Sequence, residues 1–129
     1  MVKALNGTAI LMADDDAEVL EGLVAYEGAT VRSATSARGA LEVLRTWTPD
    51  VLLLDISMPD MDGCELLMRI HGQADLREVP AVAVTGYDDA RDRKRCTQAG
   101  FAGHITKPFF VETLINLIAT LAPKPSHAD

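Results

Sequence analysis

One short segment limits the possible folds more than any other. Residues 51–54 read Val-Leu-Leu-Leu and are apolar at every position. A strand with one buried face alternates apolar and polar residues, whereas a continuous apolar run indicates a strand that is covered on both faces. Such strands are typical of parallel sheets, in which crossover helices lie on both sides. We therefore predict a buried central strand that leads directly to Asp55.

The rest of the chain alternates between strand-like runs and segments with a helical spacing of apolar residues. The other predicted strands cover residues 8–13, 30–34, 81–84 and 104–106. Five strands alternating with five helices imply right-handed crossovers and an α/β fold, a three-layer, doubly wound, five-stranded parallel sheet. We predict the flavodoxin-like strand order 2-1-3-4-5. A length of 129 residues suits one domain, which we place at residues 8–122, between a lead-in at 1–7 and a flexible tail at 123–129.

Two of the predicted helices carry specific expectations. The second helix follows Ser36, a suitable N-cap residue. Its inward face then carries Ala40, Leu41, Leu44 and Trp47. The fourth helix, over residues 88–99, is dominated by charged side chains, so we expect a thin buried stripe and an end at Gly100.

The composition argues against several classes of function. The chain has 12 Lys and Arg residues against 19 Asp and Glu residues, a net charge of −7 that argues against nucleic-acid binding by this chain alone. No apolar run approaches the roughly 18 residues of a membrane span, and residues 1–8 lack a secretory pattern. We therefore expect a cytoplasmic protein without membrane contact of its own. Cys64 and Cys96 lack the spacing of a zinc site or a redox pair and are predicted to be reduced structural residues.

The residues that end the predicted strands form a chemical pattern. Aspartates 14–16 follow the first strand, Asp55 the third, Thr85 the fourth and Lys107 the fifth. In a doubly wound sheet the functional crevice lies beyond the carboxyl ends of the strands, so we expect these side chains to converge. Several carboxylates in one crevice repel one another unless a cation lies among them. Mg²⁺ prefers oxygen ligands and keeps several waters, which suits this set.

The same pattern indicates phosphoryl transfer to a carboxylate. A metal neutralises charge, Lys107 supplies a second cation, and Thr85 offers a hydroxyl donor. Asp55 ends the central strand and is the predicted nucleophile. Asp14 and Asp15 are adjacent in sequence and are better placed as metal ligands.

Three other interpretations fit the sequence less well. A flavodoxin-like FMN enzyme shares the fold, but three aspartates after the first strand would repel the phosphate of FMN. A haloacid-dehalogenase-type phosphatase carries a D-x-D-x-T signature, which the segment beginning at Asp55 does not match. A calcium loop of the EF-hand type would need an acidic residue at Met58 and Glu at Arg69. We therefore predict that Asp60 and Asp62 serve turn geometry and helix capping.

Four short motifs each lie at a predicted strand end. They are Ile10-Leu-Met-Ala-Asp14-Asp15-Asp16, Asp55-Ile-Ser-Met-Pro59-Asp-Met-Asp-Gly63, Val84-Thr85-Gly86 and Thr106-Lys107-Pro108-Phe109. In this order and spacing they resemble the motifs of response-regulator receiver domains, and the resemblance covers residues 8–121. The resemblance implies a two-component signalling protein in which Asp55 accepts a phosphoryl group from a phosphohistidine. The donor would be a sensor histidine kinase or a histidine phosphotransfer protein, and the transfer would switch the domain between inactive and active conformations.

The resemblance also implies a set of metal ligands. Asp15, Asp55 and the backbone carbonyl of Ser57 would coordinate Mg²⁺, with Asp14 contributing through water. The isolated domain would not be an enzyme, although it would catalyse its own phosphorylation and dephosphorylation. Ser57 and Tyr87 each lie two residues beyond a site residue. We predict that they tune the lifetime of the phosphoryl group by controlling water access.

A further implication concerns the switch. Thr85 and Lys107 would bind phosphoryl oxygens, and the Lys107–Pro108 peptide bond is expected to be cis. In the family, an aromatic ring on the last strand turns inward when the hydroxyl moves toward the phosphoryl group. His104 holds that position here, so we hypothesise a modified switch whose inward rotamer is weakly favoured or pH-sensitive. The alternative is an ordinary exposed histidine on a strand.

The sequence leaves two alternatives open. Met58 and Met61 either contact a partner or fill gaps in their loop. The domain either stands alone or is a receiver segment of a hybrid sensor histidine kinase, which could attach it to a membrane. The opening residues before the first strand and residues 99–104 favour the hybrid kinase slightly.

Overall fold

A computed structural model describes residues 4–14, 17–86 and 90–122 of the chain. Within these residues, five strands alternate with five α-helices. The strands are β1 (Ala9–Ala13), β2 (Thr30–Ala34), β3 (Val51–Asp55), β4 (Ala81–Thr85) and β5 (Gly103–Thr106). The helices are α1 (Ala17–Tyr26), α2 (Ala37–Val43), α3 (Gly63–His71), α4 (Ala90–Ala99) and α5 (Val111–Leu121), with a short 3-10 helix at Ala74–Leu76 before β4.

The five strands form one parallel sheet in the order β2-β1-β3-β4-β5. Both the fold class and the strand order predicted from the sequence are confirmed. Every residue of β3 and β4 is buried, as the continuous apolar run at 51–54 indicated. The order reverses between β1 and β3, which is the position where doubly wound sheets open a crevice at the carboxyl ends of the strands.

The core consists of two layers, one on each face of the sheet. Alternate residues of β1 point to opposite layers, because side chains on a strand alternate between its faces. Leu11 and Ala13 lie in the layer formed with α2, α3 and α4, whereas Ile10 and Met12 lie in the layer formed with α1 and α5. Because helices cover both faces of the sheet, polar side chains of the central strands reach solvent only at the ends of those strands.

The second helix is shorter than predicted, and the prediction of its last turn was wrong. Ser36 caps α2 as expected, since its Oγ accepts a hydrogen bond of 3.1 Å from the N–H of Gly39. The helix nevertheless ends at Val43, and Leu44 is its C-cap. Pro49 disfavours helical geometry at the residue before it, and the chain leaves the helix through a turn. Trp47 still packs on the core, but from the segment after the helix.

The predicted lead-in, residues 1–7, is packed on the domain from Leu5 onward. The Leu5 side chain is fully buried in the layer that contains α1 and α5. Its N–H donates a 2.9 Å hydrogen bond to the carbonyl of Glu27. A segment of seven residues is too short for a helical spacing of apolar residues to be recognised, so the sequence carried no sign of this contact.

The fourth helix is attached by a thin stripe, as its charged sequence predicted. Among the side chains described at 93–99, Cys96 is buried and Ala99 is partly buried. Gly100 ends α4 with a φ of +106°, a conformation that glycine adopts without steric cost. Cys64 of α3 is buried in the same layer as Cys96. Within the described ranges, no helix combines the length and apolar content needed to cross a membrane.

Candidate functional site

Three polar residues are buried in the described part of the chain, and all three lie at one edge of the sheet. Asp14 follows β1, Asp55 ends β3 and Thr85 ends β4, with exposed fractions of 2%, 7% and 1%. Burial of carboxylates is costly unless charges or hydrogen bonds compensate for it. A buried cluster of this kind is therefore a strong sign of function, and it lies where the predicted strand ends placed it.

Lys107 supplies a positive charge within this cluster. Its Nζ lies 3.1 Å from Oδ2 and 3.3 Å from Oδ1 of Asp14. The Lys107 backbone N–H donates a 2.7 Å hydrogen bond to the carbonyl of Thr85, which ties the start of the last loop to β4. The Lys107–Pro108 peptide bond is cis. The lysine side chain is 31% exposed and that of Asp14 only 3%, so the ammonium group covers the carboxylate from the solvent side.

The Asp55 carboxylate is oriented by the loop that follows it. The N–H of Ser57 donates a 2.8 Å hydrogen bond to Oδ1 of Asp55. The N–H of Ile56 continues the pairing with β4 by donating to the carbonyl of Val84 at 3.2 Å. Backbone groups on both sides of the strand end thus hold Asp55 at a defined position in the crevice.

Gly63 lets α3 begin directly against the end of β3. A Cβ atom at this position would lie 2.5 Å from the carbonyl oxygen of Asp55 and 2.8 Å from Cα of Ile56. Distances below 3.0 Å are essentially never seen for real Cβ atoms. The Gly63 N–H donates to the carbonyl of Ile56 at 3.1 Å. The residue after Asp62 must therefore be glycine for the loop to fold back this closely.

Asp62 caps α3, as predicted. Its Oδ1 accepts a 2.9 Å hydrogen bond from the N–H of Glu65, and its Oδ2 pairs with Nη2 of Arg95 on α4 at 2.5 Å. Partial burial opposes ionisation of Asp62, but the hydrogen bonds from Glu65 and Arg95 outweigh it and hold its pKa below the ordinary value. The cap therefore also joins the loop after Asp55 to the fourth helix.

Asp60 caps a helix as well, but one that is distant in sequence. Its Oδ1 accepts from the N–H of Ala37 at 3.0 Å and its Oδ2 from the N–H of Arg38 at 2.9 Å. The hydrogen bond from Arg38, followed by that from Ala37, holds the pKa of Asp60 below its ordinary value. Capping was predicted for this residue, but its partner is the start of α2.

A chain of hydroxyl and imidazole groups runs from Thr85 to β5. The Thr85 hydroxyl donates to Oγ1 of Thr106 at 3.4 Å, and Oγ1 of Thr106 lies 3.3 Å from Nε2 of His104. His104 is half-buried on β5. Thr85 and His104 were predicted as switch residues, whereas Thr106 was named in a motif but was given no role. Its position opposite Thr85 in the β4–β5 register is the signal that could have found it.

The oxygen donors of the crevice fit a hard divalent cation. Asp14, directly after β1, and Asp55, at the end of the neighbouring β3, provide two buried carboxylates. Carboxylate oxygen is the ligand type that Mg²⁺ prefers. No group of three His, Cys, Asp or Glu side chains suited to a metal occurs in residues 4–14, 17–86 and 90–122. Asp15, the third predicted carboxylate ligand, and Tyr87 lie outside the described residues.

Met58 and Met61 fill gaps in their loop, which is one of the two roles that the sequence left open. Met58 is 8% exposed and belongs to the layer with α2, α3 and α4. Met61 is partly buried and packs on the same layer. Both residues therefore fill space beneath the loop.

Comparison with known proteins defines the family. The family model for the response regulator receiver domain matches residues 10–119. An uncharacterized 14.6 kDa protein of Leptolyngbya boryana is 37% identical over 112 residues, covering 84% of this chain and 86% of that protein. Response regulator MprA of Mycobacterium tuberculosis is 31% identical over 123 residues, covering 93% of this chain. The chain spans about half the length of MprA, with 53% of it covered.

Solved structures share the same fold. The signal receiver domain of a signal transduction histidine kinase from Syntrophus aciditrophicus has a TM-score of 0.84 and 29% identity, covering 95% of this chain and 96% of that one. The receiver domain of the sensor histidine kinase PA1611 from Pseudomonas aeruginosa PAO1 has a TM-score of 0.82 and 27% identity, covering 89% and 97%, and was solved with magnesium in its active-site cleft. The chain belongs to the response regulator receiver domains of two-component signalling.

Proposed function

We propose that Asp55 is the phosphoacceptor of this receiver domain, in a Mg²⁺-dependent transfer from a phosphohistidine. The observation that carries the proposal is the clustering of Asp14, Asp55 and Thr85, buried together at one sheet edge beside Lys107. A carboxylate nucleophile, a fixed cation and a hydroxyl donor are the groups that an in-line phosphoryl transfer requires.

The transfer exchanges one bond to phosphorus for another. A carboxylate oxygen of Asp55 attacks the phosphorus of the donor, and the P–N bond to the imidazole breaks. The electron pair of that bond stays on the imidazole nitrogen, while the new P–O bond makes an aspartyl phosphate. The hydrogen bond from Ser57 to Oδ1 orients the carboxylate before the attack, which lowers the entropic part of the barrier.

The proposed metal ligands are Asp14, Asp15, Asp55 and the backbone carbonyl of Ser57. A bound Mg²⁺ would supply positive charge that offsets the carboxylates and the incoming phosphoryl oxygens. Asp14 already forms an ion pair with Lys107 in this structure. We propose that Lys107 turns from Asp14 to a phosphoryl oxygen when the metal and phosphoryl group are present, and that the Thr85 hydroxyl binds another.

The proposed switch couples Thr85 to His104 through Thr106. When the Thr85 hydroxyl turns to the phosphoryl group, its hydrogen bond to Thr106 is lost, and the contact between Thr106 and the imidazole changes with it. NMR signals of the His104 ring should therefore move when beryllofluoride, a mimic of the phosphoryl group, is added. Ring signals that stay unchanged at saturating beryllofluoride would exclude His104 as a switch residue.

We place the receiver at residues 8–122, with Leu5 of the lead-in packed into its core. We propose a sensor histidine kinase or a histidine phosphotransfer protein as its partner in the cytoplasm. The chain works either alone or within a hybrid kinase. We propose that Ser57 and Tyr87 set the lifetime of the phosphoryl group. We also propose that the domain catalyses its own dephosphorylation.

Phosphorylation of the purified protein by acetyl phosphate or phosphoramidate, measured by intact mass, tests the function. We expect labelling with Mg²⁺ and its loss when EDTA removes the metal, because the crowded carboxylates then repel the phosphoryl oxygens. Restoring Mg²⁺ in excess should restore the label. Equal labelling without metal would overturn the proposed mechanism. The decay of the label after donor removal, compared in Ser57 and Tyr87 variants, measures the lifetime effect.

A further inference from the structure

Asp60, an exposed loop residue, makes a contact that is distant in sequence. It lies between Asp55 and α3, yet both of its carboxylate oxygens accept hydrogen bonds from the first turn of α2, at 3.0 Å from Ala37 and 2.9 Å from Arg38. Those donors lie 23 and 22 residues away along the chain. The contact therefore connects two elements of the fold rather than shaping a local turn.

The loop that carries Asp60 is also the loop that positions the phosphoacceptor. Its first part holds Asp55 through the N–H of Ser57. Its last part is tied to α4 through the ion pair between Asp62 and Arg95. Asp60 lies between these points, so its tie to α2 limits how far the middle of the loop can move.

We infer that Asp60 is a positioning residue for the phosphoacceptor site, because it ties the loop at 56–62 to the first turn of α2. The inference rests on the proposed function, since Ser57, whose carbonyl we propose as a metal ligand, lies on this loop. Residues that hold a metal ligand in place commonly change metal affinity when they are replaced, even without touching the metal.

The contact between Asp60 and α2 is suited to positioning the loop because the carboxylate is charged and accepts two hydrogen bonds. An aspartate at a helix N-terminus is stabilised by the partial positive charge of the helix end. The hydrogen bonds from Arg38 and Ala37 favour the ionised carboxylate, which presents two acceptor oxygens. Asparagine has nearly the same shape but only one acceptor oxygen, and its NH₂ group would face an N–H donor. Asp60→Asn therefore breaks one half of the tie.

A simpler role for Asp60 would be to stabilise α2 alone, and Ser36 provides the matched comparison. Ser36 caps the same helix through the N–H of Gly39, but it does not belong to the loop at 56–62. Ser36→Ala and Asp60→Asn both weaken the N-terminus of α2, because each removes a hydrogen bond to a backbone N–H of its first turn. Only Asp60→Asn loosens the loop.

The test is the Mg²⁺ concentration that gives half the maximal rate of labelling by acetyl phosphate. It is measured below the unfolding transitions of wild type and both variants. We expect Asp60→Asn to raise this concentration about tenfold, and Ser36→Ala to leave it at the wild-type value. A wild-type value for Asp60→Asn, or an equal rise in Ser36→Ala, would overturn the positioning role while the proposed function stands. Absence of Mg²⁺-dependent labelling in the wild type would instead overturn the proposed function.

Discussion

Asp55→Asn is expected to abolish labelling by acetyl phosphate in the presence of Mg²⁺. The amide lacks the second carboxylate oxygen and the negative charge, so it is a poor nucleophile and a weaker metal ligand. Its oxygen can still accept the hydrogen bond that Ser57 donates in the wild type, so the site should keep its shape. Intact mass spectrometry measures the label, and circular dichroism shows that the variant is folded.

The matched control for this variant is Asp75→Asn. Asp75 is exposed on the 3-10 helix before β4, at the opposite edge of the sheet, and its replacement makes the same change in charge. Labelling of Asp75→Asn should equal that of wild type. If Asp55→Asn kept Mg²⁺-dependent labelling at the wild-type level, a different residue would be the phosphoacceptor.

Gly63→Ala should disturb both the stability of the domain and the site. The new methyl group would lie 2.5 Å from the carbonyl oxygen of Asp55, so the start of α3 and the end of β3 must move apart. Overpacking of this kind typically costs about 1–3 kcal/mol. We also expect slower labelling, because the backbone that shifts is that of Asp55 and Ile56. Urea denaturation measures the first effect and intact mass the second.

Gly22→Ala is the control for the glycine substitution. Gly22 lies within α1, and a Cβ atom there would meet no atom within 4 Å apart from its chain neighbours and the backbone of its own helix. Alanine is favoured over glycine inside a helix by about 0.5–1 kcal/mol, so this variant should gain stability. If Gly63→Ala were as stable as wild type, α3 and β3 could move apart without loss of stability. The structural role assigned to Gly63 would then be wrong.

Local patterns in the sequence were sufficient to predict the sheet and the residues at its carboxyl edge. The apolar run at 51–54 implied a strand buried on both faces, and β3 is buried throughout. The predicted strand bounds differ from the observed ones by one residue at most. Once parallel order was inferred, the residues that follow each strand had to meet, and Asp14, Asp55 and Thr85 lie buried together.

Contacts between distant segments could not be predicted in this way. The end of α2 at Val43 depends on how the chain turns toward Pro49, although Leu44 and Trp47 continue the helical spacing. The burial of Leu5 depends on its contact with the layer around α5, far along the chain. The burial of Leu5 therefore follows from packing with distant residues, whereas the end of α2 shows a turn toward Pro49 overriding the helical spacing of its neighbours.

For the site around Asp55, the sequence alone determined which chemical groups are present and that they meet at one edge of the sheet. Only the tertiary structure decided how those groups are held. Asp60 pairs with α2, Asp62 with α4, and Thr106 links Thr85 to His104. The physical reason is that strand order follows from periodicity and chain connectivity. A hydrogen bond instead depends on separations of about 3 Å between atoms, which are set by the packing of the whole domain.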